Sequence, residues 1–111
     1  MPTDDLLRLY RMAAMQYGHV ERTYGDAWEV LQRLTCMVKG GDVRTREAFL
    51  SLLDDDDVAV RYCVAVHALG NRFARKAPLR VLREIARGSS ELAIYADIRL
   101  LNWEAGINVE L

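Results

Sequence analysis

Residues 52–70 read LLDDDDVAVRYCVAVHALG, and this stretch decides the fold. A leucine pair and four aspartates precede a segment that is apolar on almost every side when its residues are placed at about 100° intervals around a helix axis. Only Arg61 and His67 interrupt its apolar surface. A helix that is apolar all round is a buried helix. We therefore expect an aspartate-capped central helix that lies in the middle of a stack of helices.

The composition is that of a soluble globular domain, and 111 residues suffice for one domain, 1–111. The net charge of −1 argues against general affinity for nucleic acid, which requires a strongly basic balance. The acidic N-terminus and the lack of a long apolar run predict a cytoplasmic protein without a membrane segment. Cys36 and Cys63 have no metal-type spacing and are expected to be reduced. No cofactor is expected.

Apolar residues recur at helical spacing through the chain, and no segment has the alternation of a strand. The sequence therefore predicts an all-α fold of six helices, arranged as three pairs in a right-handed α-α superhelix. The first helix is expected to run from Asp4 to about Tyr24, ending at Gly25, with Gly18 on its solvent side.

The remaining helices are predicted from capping residues and turns. The second helix is expected to run from Asp26 to Gly40, and the third from near Asp42 to the aspartates. The fourth is expected to follow the aspartates and end at Gly70 and Asn71. The fifth is expected to begin around Pro78 and end before Gly88, and the sixth to run from near Ser90 to Glu104. The inner face of the second helix is predicted as Ala27, Val30, Leu31, Leu34, Met37 and Val38. The sixth helix has two apolar stripes, one with Ile94, Ile98, Leu101 and Ala105 and the other with Leu92, Ala96, Leu100 and Trp103.

An internal repeat supports the stacked arrangement. Phe49, Leu52 and Leu53 match Leu82, Ile85 and Ala86 at an offset of 33 residues, and Val60 and Val64 match Ile94 and Ile98 at an offset of 34. Periods in this range are typical of helical-repeat proteins, in which each helix pair is buried against the next.

The same stretch resembles the HEAT repeat. Its features are Leu52-Leu53, the aspartates Asp55 and Asp57, Val60-Arg61, and Ala68-Leu69-Gly70 with the glycine one residue late. The second copy has Tyr95 in place of the arginine and Gly88-Ser89-Ser90 in place of the acidic turn. With Gly25-Asp26, Pro78 and the Trp103–Gly106 ending, the chain resembles a family of small bacterial HEAT-like proteins catalogued as a domain of unknown function. The resemblance implies a binding scaffold with an adaptor or immunity-type role.

In such stacks the second helix of each pair lines the concave side. The residues expected there are Trp28, Gln32, Thr35, Arg61, Ala65, Tyr95, Arg99 and Asn102. Trp, Tyr and Arg dominate the energetics of protein interfaces, which favours a protein-binding groove. The structural alternatives are that Trp28 packs on the first helix and that Arg61 orders the acidic turn by pairing with Asp55 or Asp57.

A basic strip on the fifth helix supports a second interpretation. Lys76, Arg80, Arg83 and Arg87 fall on one side of that helix, and Arg72 and Arg75 extend the strip. The strip is suited to phosphates or an acidic partner, but Glu84 and Glu91 at helical spacing also fit a solvated outer face.

Metal binding by the remaining polar residues is less favoured. Cys63 and His67 lie one turn apart, but a hydrogen-bonded core histidine is the better interpretation than a metal site. The four aspartates fit helix capping better than cation binding. The sequence thus predicts a non-enzymatic interaction module, monomeric or homodimeric through Trp103 and the exposed side of the sixth helix, with nucleic-acid or acidic-partner binding as the alternative.

Overall fold

The computed structural model describes residues 1–18 and 26–106. Within these ranges the chain forms six α-helices and no strand, which confirms the all-α prediction. The helices are α1 (Thr3–Gln16), α2 (Asp26–Lys39), α3 (Val43–Ser51), α4 (Val58–Gly70), α5 (Lys76–Arg87) and α6 (Ala93–Glu104), with a 3-10 turn at Leu52–Asp54 between α3 and α4. Their packing is consistent with an α-α superhelix.

Helix α4 is the interior element that its composition predicts. Ten of its residues are buried, namely Ala59, Val60, Tyr62, Cys63, Val64, Ala65, Val66, His67, Ala68 and Leu69. It contacts α1, α2 and α3 as well as α5, which in turn packs against α6. Because α4 buries all its sides, it ties the N-terminal helices to the C-terminal pair.

The acidic turn, residues 54–57, starts α4 as expected. The Asp57 carboxylate accepts hydrogen bonds from the backbone N–H groups of Ala59 at 2.8 Å and Val60 at 3.3 Å. Asp55 accepts from the Asp57 N–H at 2.9 Å and also binds the Arg11 guanidinium through both oxygens, at 2.8 and 3.2 Å. The turn therefore caps one helix and also anchors α1.

Asp42 caps α3 by accepting from the Thr45 N–H at 2.9 Å, as its position predicts. Helix α4 ends at Gly70 with Asn71 at its cap position, as predicted, and the left-handed residue is Arg72, with φ 60°. The Phe73 N–H donates to the Ala68 carbonyl and the Arg72 N–H to the Leu69 carbonyl, which is the Schellman arrangement usually completed by glycine.

The first helix differs from the prediction at Gly18. Its α-helical part is Thr3–Gln16, and Tyr17 and Gly18 continue it as a wider helical turn. Gly18 is buried, contrary to the expected solvent position, because α1 passes so close to α4 there that a Cβ at Gly18 would collide with the Cβ of Ala59. The predicted end of this helix at Tyr24 and Gly25 lies outside the described residues.

Helix α2 is rotated about its axis relative to the predicted inner face. Val30 and Met37, expected on the inner face, are 46% and 44% exposed, whereas Thr35, expected in the groove, is buried. Burial of Thr35 is tolerated because its hydroxyl donates to the Leu31 carbonyl at 2.8 Å. The rotation also turns Trp28 partly into the protein, where its ring packs on Tyr17 as the structural alternative predicts.

Helix α6 begins at Ala93, three residues later than expected, with Leu92 rather than a serine at its cap position. Its stripe of Leu92, Ala96 and Leu100 is buried, and Trp103 packs against the core from a half-buried position. The opposite stripe is exposed. Pro78 lies in the first turn of α5, as predicted.

Candidate binding surface

Three helices bring aromatic residues and an arginine together. Trp28 comes from α2, and Tyr95 and Arg99 come from α6, and we call these three residues the aromatic ridge. They lie over Tyr62 of α4, which is itself buried. The Arg99 guanidinium carbon lies 5.3 Å from the centre of the Trp28 ring, within the range of a cation–π interaction. Its Nε also donates to the Tyr62 hydroxyl at 3.4 Å. Arg99 therefore connects α6 to both α2 and α4.

The ridge rests on a second row of rings. Tyr17 lies 5.0 Å from Trp28 and is stacked parallel to Tyr62 at 6.4 Å between ring centres. Burial raises the pKa of Tyr17 to about 12 and also raises the pKa of Tyr62. The nearby Tyr95 contributes to the rise of both pKa values. Both buried hydroxyls therefore stay neutral near pH 7. The only formal charge in the ridge is that of Arg99.

Under the ridge lies a buried polar chain centred on His67. The Trp28 ring lies 4.5 Å from the imidazole. The His67 Nδ1 is 2.8 Å from the Cys63 carbonyl oxygen and 2.9 Å from the Tyr10 hydroxyl. Because a carbonyl can only accept, we assign the proton to Nδ1.

The other ring nitrogen of His67, Nε2, is buried and has no hydrogen-bond partner among the described residues. Protonation of the ring would place an N–H donor at Nε2 with no acceptor among the described residues. Burial lowers the pKa of His67 to about 4, and the Arg99 charge acts in the same direction, against the weaker opposing effect of the Cys63 carbonyl. Burial likewise raises the pKa of the Cys63 thiol. Both groups are enclosed, so neither can meet a substrate.

The predicted groove residues separate into three groups. Tyr95 is 43% exposed, and Trp28, Gln32, Arg99 and Asn102 are half-buried. Thr35 and Ala65 are buried and are not part of the surface. Arg61 serves the acidic turn, since its Nη1 donates to the carbonyl oxygens of Asp55 at 2.6 Å and Asp56 at 3.0 Å. This is the structural alternative, in which Arg61 orders the acidic turn, here through backbone carbonyl oxygens.

The predicted basic strip, Lys76, Arg80, Arg83 and Arg87, is exposed along its whole length, as are Arg72 and Arg75. The Arg80 Nε lies 4.0 Å from the Glu84 carboxylate, at the limit of an ion pair, and Arg87 donates to the Arg83 carbonyl at 3.3 Å. The strip lies opposite the residues of α5 that are buried in the core.

Sequence reasoning missed Tyr17 and Tyr62 as members of this region. Both residues fall on apolar stripes of their helices, which predicts core positions, and both are indeed buried. The parallel stacking of their rings was not visible in the spacing, because α1 and α4 are distant in sequence. The pairing of Arg11 with Asp55 was missed for the same reason.

Comparison with family models, with curated proteins and with solved structures gives no match to this chain. Across residues 1–18 and 26–106, no three His, Cys, Asp or Glu side chains form a group that could hold a metal ion. In the same part of the chain, the helices are too short or too polar to cross a bilayer.

Proposed function

We propose that the protein is a non-enzymatic interaction module of the HEAT-like kind, and that a partner protein binds at the aromatic ridge. Support comes from the residue types in the ridge, because Trp, Tyr and Arg contribute most of the binding energy at protein interfaces. Cys63 and His67 lie beneath the ridge and are fully buried, and their inaccessibility favours binding over catalysis. The resemblance to small bacterial HEAT-like proteins adds a cytoplasmic adaptor or immunity-type role to the proposal.

One observation carries the proposal: Arg99 is held in place before any partner arrives. Its guanidinium lies over Trp28 and its Nε contacts Tyr62, so fewer side-chain rotations are lost on binding. Tyr95, on the same helix one turn earlier, presents an exposed ring beside it. A preordered cation next to an exposed tyrosine is suited to a partner surface that combines a hydrogen-bond acceptor with an apolar contact.

The test is site-specific crosslinking in the cells in which the protein is made. A photoreactive benzoylphenylalanine replaces Tyr95, and a matched sample carries it at Arg83 on the basic strip. We expect a discrete crosslinked partner from position 95 that is absent from position 83. In the same cells, Tyr95→Ala should abolish co-purification of that partner, while Tyr95→Phe retains it. Equal crosslinking at both positions, or retention by Tyr95→Ala, would reject the ridge as the binding surface.

The basic strip supports a second candidate function, the binding of nucleic acid or an acidic partner. The specific observation is that Lys76, Arg80, Arg83 and Arg87 all face solvent on one side of α5. If the strip binds polyanions, retention on heparin at low salt should be lost in Arg80→Glu with Arg83→Glu and should fall steeply with salt in the wild type. Unchanged retention in the double variant would remove this candidate.

A further inference from the structure

The outer face of α6 is apolar, and no described helix covers it. Ile94, Ile98 and Leu101 are 71%, 48% and 57% exposed. At 100° per residue they lie about 180° from the buried stripe of Leu92, Ala96 and Leu100. We call Ile94, Ile98 and Leu101 the outer stripe. Aliphatic residues at positions i, i+4 and i+7 form the pattern by which one helix packs against another.

The charges on α6 are divided between its two sides. Asp97 and Glu104 are exposed and lie together on one flank of the outer stripe. The only cation of the helix, Arg99, points the other way, toward Trp28 and Tyr62. The outer face of α6 is therefore apolar with an acidic edge. An anionic lipid surface or a nucleic acid would be repelled by these carboxylates.

A second copy that pairs through the same helix, α6, is a poor occupant for the outer stripe. In a two-fold antiparallel pairing of α6 with itself, equivalent flanks meet, so Asp97 and Glu104 would approach their own copies. In a parallel pairing the acidic flank would meet the flank of Tyr95 and Asn102, which offers no cation. Helix α5 cannot substitute, because its cations lie on its solvent side and its apolar residues are buried in the core.

From this geometry we propose that the outer stripe docks an amphipathic helix of another protein, one with an aliphatic face and lysine or arginine along the flank that meets Asp97 and Glu104. The aliphatic contact supplies most of the affinity, and the carboxylates select a basic helix over an acidic one. This surface faces away from the buried side of α6, and the proposal does not depend on the aromatic ridge.

The experiment uses designed helical peptides of about five turns, which exceed the length of α6. One peptide has leucine at helical spacing with lysine on both flanks, and its two counterparts have glutamate or glutamine in place of lysine. Fluorescence anisotropy of the labelled peptides measures their binding to the full chain. We expect saturable binding of the lysine peptide, weaker binding of the glutamine peptide and none of the glutamate peptide.

Two sets of variants locate the site. Ile98→Lys should weaken binding of the lysine peptide at least about tenfold, whereas Val43→Lys, at a residue of α3 that is 65% exposed, should leave it unchanged. Leu101→Lys is the second variant should Ile98→Lys not fold. Asp97→Asn with Glu104→Gln should weaken the lysine peptide about fivefold and leave the glutamine peptide unaffected.

Each opposite result overturns the proposal. Equal binding of the lysine and glutamate peptides would show that charge does not select the occupant. Unchanged binding in both Ile98→Lys and Leu101→Lys would place the peptide elsewhere. Sedimentation that reveals a dimer, lost in Ile98→Lys, would assign the outer stripe to a second copy. If the proposal for the outer stripe fails, crosslinking at position 95 remains a separate test of the aromatic ridge.

Discussion

Acidification should destabilise this fold through one buried side chain, His67. The imidazole is fully buried, its Nδ1 faces the Cys63 carbonyl, and its Nε2 has no acceptor among the described residues. Its pKa is about 4 in the folded chain, against 6.5 for an unperturbed histidine. Above pH 6.5 the ring is neutral in both states. Between pH 6.5 and pH 4 the unfolded chain binds a proton that the folded chain does not, so the free energy of unfolding falls as the pH falls.

The magnitude follows from that pKa difference. At about 1.4 kcal/mol for each pKa unit, the complete loss is about 3 kcal/mol, of which about 2 kcal/mol is lost between pH 8 and pH 5. This is a large share of the stability of a small domain, which is typically about 5–15 kcal/mol. Most carboxylates titrate below this range, so the interval from pH 8 to pH 5 isolates the histidine contribution.

The assay is urea unfolding, followed by circular dichroism, at a series of pH values for the wild type and for His67→Phe. The chain has a second histidine, and the difference between the two proteins cancels its contribution. We expect the free energy of unfolding to fall by about 2 kcal/mol more in the wild type than in the variant. His67→Gln is a second non-titrating variant. A parallel pH dependence in wild type and variant would refute the reasoning, as would an NMR titration of the His67 ring with a midpoint near 6.5.

Three further outcomes test the fold. Arg72→Gly should stabilise the protein by up to about 1 kcal/mol and raise the Tm by several degrees, because Arg72 holds a left-handed φ of 60° that glycine adopts without strain; an unchanged or lower Tm would contradict the Schellman ending of α4. Gly18→Ala should lower stability by about 1–3 kcal/mol through collision with Ala59, and a neutral effect would mean that the helices do not approach so closely. A thiol reagent should label Cys36 in the folded protein and Cys63 only in urea, since Cys36 is exposed and Cys63 buried; rapid labelling of both would refute the buried position of α4.

The parts of the fold that were predictable are those determined by neighbouring residues. The interior position of α4 follows from its own composition, and the caps at Asp42 and Asp57 follow from side chains that bind N–H groups two or three residues later. Such local signals are strong because the interacting groups cannot be far apart. The buried Gly18 was mispredicted for the converse reason. Whether a face of the first helix is exposed to solvent or buried depends on how closely α4 approaches it, and no residue of the first helix determines that distance.

The same distinction applies to the candidate surface. Sequence reasoning places Trp28, Tyr95 and Arg99 on one side because the second helix of each stacked pair lines the concave side. It did not foresee the rotation of α2 that turns Thr35 inward, because a threonine that hydrogen-bonds to its own helix can occupy an apolar position. Nor could spacing reveal that Arg11 reaches Asp55, or that Arg61 binds backbone carbonyl oxygens of the acidic turn.

The placement of Arg99 links the two surfaces proposed for α6. Because its guanidinium lies over Trp28 and its Nε contacts Tyr62, the ridge carries the positive charge of the helix. For the same reason α6 itself supplies no second cation on the opposite side, where Asp97 and Glu104 lie beside the outer stripe. The two sides of one helix therefore present different chemistry, a fixed cation among aromatic rings on one and an aliphatic stripe with an acidic edge on the other. A segment that is complementary to one side is mismatched in charge with the other, so a protein that engaged both would need two distinct segments.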